Sequence, residues 1–109
     1  MAARVSRGEV RLYTFDPSDK RRPVVVLTRQ EVIGLLRTVM VAPVTSAIRG
    51  APSEVVIGVD EGLKADSAIN LDHVQTVPKS RLGRRVGTLS GETMLRVCRA
   101  LAIAAGCEP

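Results

Sequence analysis

Two guanidinium groups, Arg21 and Arg22, lead into the apolar run Pro23-Val24-Val25-Val26-Leu27, and the hydroxyl pair Thr45-Ser46 closes a second run, Val39-Met40-Val41-Ala42-Pro43-Val44. A guanidinium fork grips two phosphate oxygens at once and stays protonated, and a threonine hydroxyl adds one directed hydrogen bond. If the two runs are strands lying side by side, Arg22 and Thr45 meet at a sheet edge. That pairing of a phosphate-grade cation with a hydroxyl is what a nucleic-acid backbone site requires. Arg21 is the weaker candidate, because alternation along an extended segment turns it away from Arg22. Alone, each group has an ordinary use: an arginine ahead of a strand is commonly a solvated charge, and a Thr-Ser pair after one is commonly a turn former.

The remaining charge follows the same theme. The chain of 109 residues carries a net charge of +5. Its cations cluster, with Lys20, Arg21, Arg22 and Arg29 around the first apolar run and Lys79, Arg81, Arg84 and Arg85 in a second segment free of acids. Such clusters suit a polyanion, either nucleic acid or an acidic protein tail. Tyr13 and Phe15 are the only aromatic residues, which excludes an RNA module built on stacked aromatic platforms. His73 is the single histidine and Cys98 and Cys107 are the two cysteines, without metal-site spacing. Neither a paired-carboxylate metal site nor a phosphate-cradling glycine loop is present, so the expected chemistry needs no metal and no cofactor. Reduced thiols fit a cytoplasmic protein. The absence of an apolar run near the ~20 residues of a membrane span, or of a signal segment, points the same way.

The elements that must position these groups are short. Glu9 to Phe15 alternates as a half-buried strand with Val10 and Leu12 inward, and Asp16-Pro17-Ser18-Asp19 turns the chain. Pro23 to Thr28 and Thr38 to Val44 read as strands, with a helix or turn between them over Gln30 to Arg37. Arg49 to Ser53 is a loop by composition. Glu54 to Val59, Ala68 to Leu71, Val74 to Val77 and Val86 to Leu89 add four extended pieces. Ser90 caps a final helix with Glu92 in its first turn; Met94, Val97, Leu101 and Ala105 form its apolar stripe, widened by Leu95, Cys98 and Ala102, and Gly106 ends it. The expected fold is α+β and mainly β: one domain over residues 1–109, a small, strongly curled barrel-like sheet packed by a C-terminal helix.

The order of these pieces, Arg7-Gly8-Glu9-Val10, Asp16-Pro17, Arg22-Pro23-Val24-Val25-Val26, Val41-Ala42-Pro43-Val44-Thr45-Ser46, Asp66-Ser67 and Lys79-Ser80-Arg81-Leu82, resembles the MazF/PemK toxins of bacterial toxin-antitoxin pairs over nearly the whole chain. The resemblance implies an SH3-like curled barrel and a sequence-selective endoribonuclease. It implies attack by a ribose 2′-hydroxyl on the neighbouring phosphate of single-stranded RNA, leaving a cyclic phosphate and a free 5′-hydroxyl. A homodimer and an acidic antitoxin that competes for the RNA groove are implied too.

By position the resemblance makes Arg22 and Thr45 the catalytic pair, with Asp72 as a candidate carboxylate. One branch of the family pairs that aspartate with an arginine two residues earlier, where this chain has Asn70. Ser46, Ser67, Asn70, His73, Lys79 and Arg81 fall on segments that line the RNA groove. The loop from Asp16-Pro17 to Arg22-Pro23 is shorter than is common in the family, which implies either a more open site or a weakly active protein. Two rival readings follow from the same residues: a toxin of this fold that poisons DNA gyrase through its last helix, and a basic RNA-binding domain without catalysis.

Overall fold

The computed structural model describes residues 4–107; the outermost residues of the expected 1–109 domain lie outside that range. Seven strands alternate with short turns: β1 (Glu9–Tyr13), β2 (Arg22–Val26), β3 (Thr38–Thr45), β4 (Glu54–Ile57), β5 (Ser67–Asn70), β6 (Gln75–Pro78) and β7 (Arg85–Thr88). A one-turn helix α1 (Gln30–Ile33) separates β2 from β3, and α2 (Gly91–Ala104) follows β7. The strands form one antiparallel sheet in the order β4-β5-β3-β2-β1-β7. β3 is long enough to serve two partners on one side, β6 along Thr38 to Val41 and β5 at Val44 and Thr45.

Because successive side chains in a strand point to opposite faces, the register sorts the apolar residues into two layers. Val10, Val25 and Ala42 stand in line across β1, β2 and β3, as do Val44, Ile69 and Val55 across β3, β5 and β4. These residues are buried with Val97 and Ala100 of α2 in one core. Val24, Val26, Val39, Val41 and Val77 project from the other face and form a second core with Tyr13, Ile33 and Leu82. Two apolar layers on a sheet of short Val-rich strands explain how so few rings suffice.

The curl brings the two ends of the sheet together. The turn Val59–Glu61 after β4 abuts β7, the strand at the opposite end. A Cβ on Gly62 would lie 1.9 Å from the Val86 carbonyl oxygen, and one on Gly87 would lie 1.9 Å from that of Glu61. Gly62 also has φ +92°. Only glycine satisfies both demands there, so these two positions let the backbones meet and the sheet close into a half-barrel.

Two expectations are corrected. β1 does not alternate between core and solvent: Glu9, Val10, Arg11 and Tyr13 are all buried, since the curl covers both faces of this strand. The α2 stripe is narrower than expected and displaced. Val97 and Ala100 are buried and Met94, Leu101 and Ala104 pack against the core, while Leu95 is 62% exposed and Cys98 and Ala105 face solvent. The cap is as read, with Ser90 Oγ accepting the Thr93 N–H at 3.1 Å. Among the described residues no helix is long and apolar enough to cross a membrane.

Candidate functional site

The β2–β3 register decides where Arg22 goes. Val26 pairs with Val41, Val25 with Ala42 and Val24 with Pro43, and each further step moves one residue back on β2 and one forward on β3. Arg22 therefore falls opposite Thr45. The recorded ladder stops at Val24 because Pro23 has no N–H to donate. Cross-strand partners share a face, so Arg22, Thr45, Asn70 and Glu54 all lie on the face opposite the one α2 covers.

A hollow of about 240 Å³ opens where these strand ends meet. Arg22, Thr45, Asn70, His73, Arg49 and Glu54 supply its polar lining, and Pro43, Val44 and Ala47 the rest. Four residues named from the sequence are thus gathered in one place. Arg49 and Glu54 were missed: the first sat in a segment read as loop and the second at a strand's first position, and only the fold of that loop brings them to Arg22.

Local bonding prepares several of these groups. Thr45 Oγ1 accepts the Ala47 N–H at 3.1 Å, which leaves its own O–H proton to donate into the hollow. Asn70 Oδ1 accepts the Asp72 N–H at 3.0 Å, capping the 3-10 turn Leu71–His73 and leaving the amide NH2 to donate. Glu54 Oε1 accepts the N–H groups of Arg49 and Gly50 at 3.1 and 3.0 Å. That clamp fixes the loop between β3 and β4 and with it the backbone that carries Arg49.

Other candidates have different employment. The Asp72 carboxylate does not line the hollow; its Oδ2 accepts the Ser53 hydroxyl at 2.5 Å, tying the turn to the start of β4. Ser46 is exposed beside Thr45, and the half-buried Ser67 donates its hydroxyl to the Ala65 carbonyl at 3.2 Å. Lys79 Nζ donates to the Ile33 carbonyl at 2.5 Å and so fastens α1 to the 3-10 turn Lys79–Arg81. The Arg81 guanidinium stands 5.8 Å from the centre of the Tyr13 ring, and Tyr13 pairs with Arg22 in the β1–β2 register. Arg81 thus approaches the site through one ring. Among the described residues no group of His, Cys, Asp and Glu could hold a metal ion.

The short β1–β2 loop has its own anchor. Asp16 accepts the backbone N–H of Ser18 at 2.9 Å and its hydroxyl at 2.7 Å, and these bonds, the backbone one first, hold its carboxyl below the usual aspartate range. A depressed carboxyl pKa supports the folded loop above the unfolded-state value, and the support fades as pH falls through the folded one. Ser18→Ala removes the hydroxyl bond and keeps the backbone one, so it should move the Asp16 titration midpoint part of the way upward in an NMR carboxyl titration; an unchanged midpoint would show that the hydroxyl bond does not form in solution.

The chain has clear relatives. Residues 6–105 match the family model described as PemK-like, MazF-like toxin of type II toxin-antitoxin system. The chain is 43% identical over 110 residues to the probable endoribonuclease MazF5 of Mycobacterium tuberculosis, covering 99% of both proteins. Its fold superposes on the Mycobacterium tuberculosis toxin MazF-mt6 with a TM-score of 0.84 at 33% identity, covering 93% of this chain and 99% of the other. It also superposes, with a TM-score of 0.84 at 24% identity, on an endoribonuclease solved in complex with its cognate antitoxin from a mycobacterial species, a likeness of fold that covers 97% of this chain and 99% of that one. With 6–105 of its 109 residues matched by one family model, this chain belongs to the PemK/MazF family of toxins of type II toxin-antitoxin systems.

Proposed function

We propose that this chain is a metal-independent endoribonuclease toxin that cuts single-stranded RNA in the hollow between Arg22 and Thr45 and is neutralised by an acidic antitoxin. The observation that carries the reading is the convergence of Arg22 and Thr45 in one polar hollow, brought there by the β2–β3 register. Family membership and relatives named as endoribonucleases support it.

In this mechanism the Arg22 fork binds two non-bridging oxygens of the scissile phosphate. Charge builds on those oxygens as the 2′-oxygen attacks and the phosphorane forms, so a guanidinium already aimed at them stabilises the transition state more than the ground state. Thr45 donates one further hydrogen bond to the same group. Asn70 and Arg49 reach neighbouring parts of the strand. Collapse expels the 5′-oxygen and leaves the cyclic phosphate. The protein acts as a cytoplasmic homodimer, with RNA in a groove near the subunit interface.

An acidic, partly disordered antitoxin segment fits the same cationic surface because it repeats the charge of RNA. Gyrase poisoning through the last helix gains no support from a polar hollow on the face away from α2. The test is purified protein with a defined single-stranded RNA pool in EDTA over a salt series, with and without the acidic protein encoded beside it. Cleavage in EDTA, relieved by that protein and less well relieved as salt rises, is expected. Loss of cleavage in EDTA, or tight binding of the acidic protein with cleavage at full rate, contradicts the reading.

A further inference from the structure

Arg22 and Thr45 leave two proton transfers without an owner. One group must take the proton of the 2′-hydroxyl, and another must give a proton to the departing 5′-oxygen. Guanidinium stays protonated throughout the physiological range, and a threonine hydroxyl is too weak an acid and base. Of the described side chains lining the hollow, those of Glu54 and His73 can do so; the remaining lining groups are guanidinium, hydroxyl, amide or apolar. Asp72, the carboxylate singled out from the sequence, is engaged with Ser53 outside the lining.

We propose that Glu54 is the general base and His73 the general acid of this site, an inference that rests on reading the hollow as the place of RNA cleavage. Glu54 Oε1 is held by the Arg49 and Gly50 N–H groups, which orients the carboxylate with Oε2 outside those bonds. His73 ends the 3-10 turn that Asn70 caps. Two bonds tie that turn to Ser53, the residue just before Glu54: the Ser53 hydroxyl donates to Asp72 at 2.5 Å, and the Leu71 N–H donates to the Ser53 carbonyl at 3.0 Å. Asp72 neighbours His73 as Ser53 neighbours Glu54, so this double tie sets the spacing of base and acid. Asp72 is thereby a positioning residue.

The step balances. Glu54 Oε2 takes the 2′-hydroxyl proton as the 2′-oxygen bonds to phosphorus, the bond from phosphorus to the 5′-oxygen breaks, and the imidazolium of His73 protonates that oxygen. Glutamic acid and neutral imidazole remain, and exchange with water resets both. Charged groups on the surrounding elements are Arg22 on β2, Arg49 on the loop, Asp72 beside His73, and Glu92, Arg96 and Arg99 with the Cys98 thiol on α2, which packs against the turn.

The experiment compares ordinary RNA with RNA whose scissile 5′-oxygen is replaced by sulfur, a leaving group that needs no acid, in single-turnover rates across pH. Wild-type protein should show a bell-shaped profile on ordinary RNA and lose only the alkaline limb on the sulfur substrate. His73→Gln should slow ordinary RNA about 10²–10⁴-fold, abolish the alkaline limb, and recover on the sulfur substrate. Glu54→Gln keeps an acceptor for the two loop N–H groups, and should be slow on both substrates and lack the acid limb. Melting curves and binding of 2′-deoxy substrate check each variant's fold. Equal slowing of His73→Gln on both substrates overturns the proposal, as does either variant cutting ordinary RNA at the wild-type rate. An alkaline limb in wild-type protein on the sulfur substrate overturns it without any mutation. Wild-type protein that cuts neither substrate instead contradicts the reading of the hollow.

Discussion

Arg22→Ala should lower single-turnover RNA cleavage by at least about 10³-fold and leave the unfolding midpoint unchanged. Arg22 is exposed at the first position of β2 and makes no core contact, so its removal costs little stability. Its fork, however, supplies two donors to the phosphorane, and loss of a single such donor already costs about 10²–10³-fold. Thr45→Ala removes one hydrogen bond to a charged group, worth about 1.5–3 kcal/mol, and should cost roughly 10- to 10²-fold. Arg21→Ala should be mild. An essential Arg21 with a dispensable Arg22, in variants that melt normally, would overturn the register on which the site is built.

A larger structural effect belongs to a pair away from the hollow. Arg11 and Glu9, with side chains 7% and 9% exposed, form an ion pair at 3.0 Å inside β1. Arg11 Nε also donates to the Gly83 carbonyl at 2.7 Å and Nη1 to the Arg4 carbonyl at 3.2 Å, while Glu9 Oε1 accepts the Ser6 N–H at 2.9 Å. This network joins the segment before β1 to the loop before β7. Arg11→Ala strips the buried Glu9 carboxylate of its close cation and leaves it the Ser6 N–H and the exposed Arg85 guanidinium, 3.9 Å from Oε2, so the loss in denaturant unfolding should approach but not exceed the about 3–5 kcal/mol of a wholly unpaired buried charge. Adding Glu9→Gln removes the stranded charge, so the double variant should lose less than the sum of the two single losses. Strict additivity would mean that the pair is not coupled.

The parts legible in the sequence and the parts that were not differ in the range of the physics involved. Val24 to Val26 and Val39 to Val44 announce themselves as strands, and Ser90 and Gly106 mark the ends of α2, because propensity and capping act over a few residues. The placement of Arg22 opposite Thr45 was also reachable, since an antiparallel register carries a local pattern across to its neighbour. The burial of Arg11 was not: alternation assigns it to a face, and whether that face is wet depends on a curl set by Gly62 and Gly87, far along the chain. Arg49 and Glu54 were hidden for the same reason. Their role comes from a loop folded back by bonds between residues four and five apart and then carried to β2 by the β3–β5–β4 pairing. Asp72, a candidate through the family resemblance, bonds to Ser53 outside the lining of the hollow, a placement set by the turn after β5 that no local pattern announces.

The most direct measurement uses one RNA prepared in two forms, identical except that the ribose at the cut site lacks its 2′-hydroxyl in one. With EDTA present, the protein should cut the ribose form to a cyclic phosphate and a free 5′-hydroxyl, and should bind the deoxy form without cutting it. Cleavage of the deoxy form, or a 5′-phosphate on the product of the ribose form, would contradict 2′-hydroxyl attack at the Arg22–Thr45 hollow.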